Sequence, residues 1–229
     1  MTASSFSWVR AALLTGVLDA WAVLMPVACA GCGRPDRGLC ADCAGRLAPE
    51  VSWHRLADGT PVASALDYSG VARQMILAFK EQGRTDAARA LAAPLTFALA
   101  AAESVAGPVA LELATVPTAR ASYRRRGYDP VALLLRRARF APSPVLRHSR
   151  RTLEQKALDA DGRSRNLVGS LCAADSLAGR QFIIVDDVMT TGATLTEAAR
   201  AIRQGGGEVI AAATLAHTER LFPVSVTSS

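Results

Sequence analysis

The chain has 229 residues, half of them hydrophobic, and a formal net charge of +6. That apolar fraction excludes a disordered chain and supplies a core for one medium domain with a small satellite. The charge is uneven: residues 120–165 hold 13 basic and 4 acidic side chains, which leaves the rest slightly acidic. An Arg-rich window attracts phosphate on a small ligand or on nucleic acid, and its alternative is a solvated face.

Residues 11–28 are apolar, but a spanning helix needs about 20 apolar residues and Asp19 interrupts this run. Asp19 and Pro26 also count against a signal peptide. The segment reads as an amphipathic helix that packs on the domain or rests on a membrane surface. No integral membrane segment is expected, and the expected location is cytoplasmic, with membrane association left open.

Next comes Cys29-x2-Cys32-x7-Cys40-x2-Cys43. Each pair can hold one side of a tetrahedral metal, and glycines 31, 33 and 38 let the backbone turn tightly around it. Structural Zn²⁺ is the reading; two disulfides are the alternative, weak in a cytosolic protein. The fifth cysteine, Cys172, reads as a buried thiol. Residues 1–50 form the expected N-terminal helix and zinc module, and residues 51–229 the main domain.

After a connection over residues 51–61, residues 63–68 read as a strand. Residues 71–80 have helical spacing (Val71, Met75, Ile76, Phe79) and stop at Gly83, and residues 85–102 read as a helix that Pro94 kinks or divides. A strand over 111–116, a helix over 130–140 and a short strand over 144–146 follow. Residues 150–166 are polar and aperiodic, a long loop. A strand over 182–185, a helix over 194–204 and a strand over 208–215 complete the chain. Strands alternating with helices predict an α/β fold with a mostly parallel sheet flanked by helices.

The stretch FIIVDDVMTTGAT, residues 182–194, carries the chemistry. A buried strand delivers Asp186 and Asp187 to its carboxyl end, where open α/β sheets bind ligands. Thr190, Thr191, Gly192, Ala193 and Thr194 then lead into a helix, whose free amides suit one phosphate. Two carboxylates beside it accept vicinal hydroxyls or hold Mg²⁺ through water. The ligand this implies is a sugar phosphate. A Walker A loop is excluded, because no Gly-Lys-Thr/Ser closes the turn.

This stretch resembles the phosphoribosyl-pyrophosphate (PRPP) signature of type I phosphoribosyltransferases. The resemblance implies that Asp186 and Asp187 take the ribose hydroxyls and act in catalysis. It also implies that residues 190–194 take the 5′-phosphate, and that Thr118, Ala119 and Arg120 form the pyrophosphate loop. The order of N-terminal cysteines, Phe79-Lys80-x2-Gly83, Val116-Pro117, Arg125-Arg126-Gly127-Tyr128, Arg151-Thr152-x2-Gln155, Arg165-Asn166 and the signature resembles the ComF family. That family is associated with natural competence and the import of single-stranded DNA. One departure is Asp129-Pro130, where the family tends to carry Asn-Gln.

The activity so implied is displacement of pyrophosphate from C1 of PRPP by a nitrogen nucleophile, with Mg²⁺, Arg120, Lys156 and Arg165 as charge stabilisers and the 150–166 loop as a lid. No residue set identifies the acceptor. The competing reading is a protein that binds single-stranded DNA through Arg124, Arg125, Arg126, Arg150 and Arg151, with Tyr123 and Tyr128 stacking on bases, and that partners a competence DNA-import helicase. A third is a PRPP sensor without turnover.

Overall fold

The structure is a computed structural model that describes residues 28–35, 38–107, 109–149 and 167–218. The predicted N-terminal helix up to residue 27, and the predicted lid with Arg150, Arg151, Lys156 and Arg165, lie outside the described residues.

A short helix α1 (Ala41–Gly45) follows the first cysteines, then strands β1 (Ser52–Arg55) and β2 (Pro61–Asp67). Helices α2 (Gly70–Glu81) and α3 (Ala88–Ser104) lead to strand β3 (Leu111–Thr115). Helices α4 (Arg120–Arg126) and α5 (Pro130–Arg137) precede the short strands β4 (Pro142–Ser143), β5 (Leu146–His148) and β6 (Leu171–Ala173). The last elements are β7 (Gln181–Met189), α6 (Ala193–Gln204) and β8 (Glu208–His217).

Six strands form one sheet in the order β1-β2-β8-β7-β3-β4, with β1 antiparallel to β2 and every other pair parallel. The predicted architecture is present. Strand β7 shows why its four apolar residues are needed. Ile183 and Val185 pack with α2, α3 and α5 on one face, while Phe182 and Ile184 pack with α6 on the other. A parallel strand covered on both faces must be apolar on both.

Chain direction places the site. The connections from β2 to β3 and from β3 to β4 step one way across the sheet, and β7 to β8 steps the other way. Right-handed crossovers then put α2, α3 and α5 on one face and α6 on the opposite one, as observed. The reversal falls between β3 and β7. Their carboxyl ends diverge there and open a crevice, the position where such sheets hold ligands.

Several boundaries differ from the sequence reading. Strand β7 runs through the acidic pair to Met189, because its pairing with β8 continues to His217. Pro94 lies buried within an undivided α3. Residues 52–55 form an edge strand, and residues 120–126 form a helix where none was expected. Residues 144–146 straddle two short strands.

Candidate functional site

The crevice at the reversal is a cleft of about 280 Å³ lined by Asp186 and Asp187 from β7, by Thr118 and Ala119 after β3, by Lys80 from α2 and by Thr194 from α6. Asp187 is ion-paired: Lys80 Nζ donates to its Oδ1 at 3.0 Å and lies 2.9 Å from Oδ2. The Asp187 backbone N–H donates to Asp186 Oδ1 at 2.8 Å. Burial, reinforced by the Asp187 charge, pushes the Asp186 carboxyl up to about 7, against the pull of that amide and of Lys80. Asp186 is therefore poised to gain charge when hydroxyls or a cation replace lost water.

The loop after β3 is held from below. Thr118 Oγ1 donates to Asp129 Oδ2 at 2.7 Å, and Asp129 Oδ1 accepts the Ala132 N–H at 2.8 Å. Asp129 thus caps α5, with Pro130 in the first turn, and ties the cap to the loop. The departure at Asp129-Pro130 is in this way a satisfied helix start.

The predicted phosphate residues divide between two surfaces. Thr194 lines the cleft, whereas Thr190, Thr191 and Gly192 line a second depression of about 580 Å³ with His54, Arg55 and His217. Ala193 is exposed at the first position of α6. Gly192 has φ +75° and caps α6, and a Cβ there would meet Leu56 Cδ2 at 2.9 Å. Only glycine fits both the conformation and the contact.

The arginines also divide. Arg120, Arg124 and Arg125 are exposed, and Tyr123 is 50% exposed beside them. Arg126 lines the cleft with its side chain only 12% exposed, and with Arg125 it pairs with Glu81 at 3.2 and 2.7 Å. Arg126 is therefore cleft wall, whereas Arg124 and Arg125 on α4 are surface cations. Arg120 does not line the cleft with Thr118 and Ala119.

Three residues lining these depressions escaped the sequence reading as site residues. Lys80 stood only as part of a motif on α2, and nothing local showed that β7 would bring Asp187 to it. His54 and His217 come together from residues 163 positions apart, which no spacing rule could reveal.

The four N-terminal cysteines are free thiols whose sulfurs all lie within 4.8 Å of one another, so they can hold a metal ion. Cys29, Cys40 and Cys43 are buried, and Cys40 N–H donates to Cys29 Sγ at 3.4 Å. Gly31 is required by close approach, since a Cβ would sit 2.8 Å from Cys43 Sγ. Arg84 ties this module to the main domain by donating to the Ala28 and Gly38 carbonyls. Cys172, expected to be buried, is partly exposed on β6. No helix of the described residues is long and apolar enough to cross a membrane.

Known proteins resemble this chain over most of its length. Residues 86–224 match the phosphoribosyl transferase domain. The chain is 28% identical over 217 residues to the DNA utilization protein YhgH of Escherichia coli O6:H1, covering 83% of this chain and 92% of that protein. It is 29% identical over 192 residues to Competence protein F of Haemophilus influenzae, covering 80% and 81% respectively. Adenine phosphoribosyltransferase from Saccharomyces cerevisiae is 14% identical with a TM-score of 0.37, over 78% of this chain and 89% of that one.

Proposed function

We propose that this chain, which belongs to the phosphoribosyl transferase domain family, binds PRPP with Mg²⁺ in the β3–β7 cleft and transfers its phosphoribosyl group in the service of DNA uptake or utilisation. The observation that carries this reading is the placement of Asp186 and Asp187 in one cleft with Thr118, Ala119 and Thr194. The relatives' names, DNA utilization protein and Competence protein F, support the biological setting.

In this reading the ionised aspartates accept the ribose 2′- and 3′-hydroxyls, and the amides opening α6 meet the 5′-phosphate. Thr118 and Ala119 receive the pyrophosphate, near the Arg126 guanidinium. Mg²⁺ brought with PRPP would supply positive charge against the leaving pyrophosphate, beside the Arg126 guanidinium. Lys80 holds Asp187 in place until the diol arrives. The cysteine module takes Zn²⁺: tetrahedral bonds of about 2.3 Å give sulfur–sulfur edges of about 3.8 Å, and Cys32 Sγ lies 3.8 Å from Cys40 Sγ. A four-thiolate site is closed, so its task is structural.

Thermal unfolding tests the reading. PRPP with Mg²⁺ at a hundred times its Kd is expected to stabilise the chain by about 2.7 kcal/mol, and ribose 5-phosphate to stabilise it less at equal concentration. Equal melting curves with and without PRPP would reject it.

A second reading is favoured by one observation, the exposed Arg124 and Arg125 beside Tyr123 on α4. Phosphate contacts from these arginines and stacking on Tyr123 suit single-stranded DNA. Binding that falls steeply between 50 and 200 mM salt, with a shallower slope in Arg124→Ala/Arg125→Ala, would support it.

A further inference from the structure

Side chains of β1, β2 and β8 form a connected polar cluster that the transferase reading leaves without a task. Ser52 Oγ lies 3.0 Å from His54 Nε2 and 3.3 Å from His217 Nδ1. His217 Nε2 lies 3.5 Å from Asp67 Oδ1, and the two imidazole rings are 4.1 Å apart. Ser52 Oγ carries one hydrogen, so it can donate to one imidazole and accept from the other. Its 3.5 Å approach to the Ser64 carbonyl is the weaker competitor. Ser52 thus links the two imidazoles, and the His217 ring faces the Asp67 carboxylate.

This cluster stands against the phosphate loop. His54, Arg55 and His217 form one side of the 580 Å³ depression, and Thr190, Thr191 and Gly192 form another. The contact is tight, because Leu56 packs on Gly192. Hydroxyls, two imidazoles and a guanidinium make a donor-rich wall suited to an anion.

We propose that this depression is the subsite for the phosphate monoester, and that the His54–His217 pair takes up a solvent proton when the phosphate dianion binds. The proposal rests on the reading of residues 190–194 as the 5′-phosphate cradle. Ser52 and Arg55 of β1, Asp67 of β2 and the loop threonines face the pair. Burial and then the His217 charge hold His54 below the usual imidazole range, against Asp67, so His54 is neutral in the free protein at neutral pH. A dianion in the depression acts in the same direction as the Asp67 charge and reverses that preference. No covalent bond is made or broken.

The probes are inorganic phosphate, which lacks a diol, and PRPP with Mg²⁺. Imidazole proton resonances of the full chain are followed by NMR, and calorimetry in two buffers of different ionisation heat counts protons. Inorganic phosphate at pH 7 is expected to move the His54 imidazole signals toward the protonated form, with net proton uptake. His54→Gln is expected to weaken phosphate binding about tenfold at pH 6.5 and less than twofold at pH 8.5. Imidazole signals that ignore saturating phosphate overturn the proposal, with no variant needed. An equal loss at both pH values in His54→Gln does so too. If PRPP binds through the aspartates without an imidazole response, the subsite falls and the ribose reading stands. If inorganic phosphate titrates the pair while PRPP does not bind, the ribose reading falls and the subsite stands.

Discussion

Asp186 must be ionised to accept two hydroxyls, yet its surroundings hold it protonated up to about pH 7. PRPP affinity through the diol end is therefore expected to rise as pH goes from 5.5 to 8, with a midpoint near 7. Calorimetry of Asp186→Asn is expected to give weak binding without that rise. Stability runs the other way. A carboxyl whose folded pKa lies above the unfolded one favours folding most below about pH 4, and that contribution is lost as pH climbs through 7. Asp186→Asn is thus expected to stabilise the ligand-free chain relative to the parent by on the order of 1–2 kcal/mol at pH 8 and by little at pH 4, read from urea midpoints. Lys80→Met leaves Asp187 without its ion-pair partner in the same cleft. A loss of about tenfold in PRPP affinity is expected, about 1.4 kcal/mol, with the melting temperature nearly unchanged. At this scale the sequence was informative where chemistry is local. The acidic pair and Thr194 lie together as their spacing implied. Lys80 and the histidine pair were illegible as site residues because strand order, not spacing, creates them.

Among the elements, two small devices hold the loops that frame the cleft. Asp129 joins the α5 cap to Thr118. Asp129→Ala should lose about 1 kcal/mol of stability and weaken pyrophosphate binding as well, while Asp129→Asn should keep the cap and most of the stability. The second device is Glu197, buried on α6, which accepts from the Leu171 N–H at 2.9 Å and from Arg200 Nε at 2.6 Å. Arg200 in turn donates to the Leu171 carbonyl at 2.8 Å. Helix α6, which opens at the phosphate loop, is thereby fastened to β6. Glu197→Ala removes the carboxylate that pairs with Arg200 and leaves the Leu171 N–H without its acceptor, and about 1–3 kcal/mol should be lost in a denaturant titration. The long apolar strands and periodic helices were readable because burial on both faces demands continuous apolar runs. Strand β1 and helix α4 were not. SWHR alternates weakly at a sheet edge, and RASYRRR has no apolar stripe, with no buried residue in the helix.

At the level of the whole molecule, one sheet reversal brings together residues from α2, the β3 loop, β7 and α6, and a four-cysteine module is pinned beside them through Arg84. Purified protein is expected to carry one zinc per chain by metal analysis. Cys32→Ser or prolonged chelation should unfold the module and lower the melting temperature, while metal-free protein with unchanged melting would show that the thiols hold no structural ion. The central claim, that this cleft is a PRPP site, is tested most directly by calorimetric titration of the zinc-loaded chain with PRPP and Mg²⁺ at pH 8, beside Asp186→Asn/Asp187→Asn. Saturable 1:1 binding in the parent chain and its loss in the folded double variant is the expected result. Absence of binding by the folded parent chain, or equal binding by both, would contradict it.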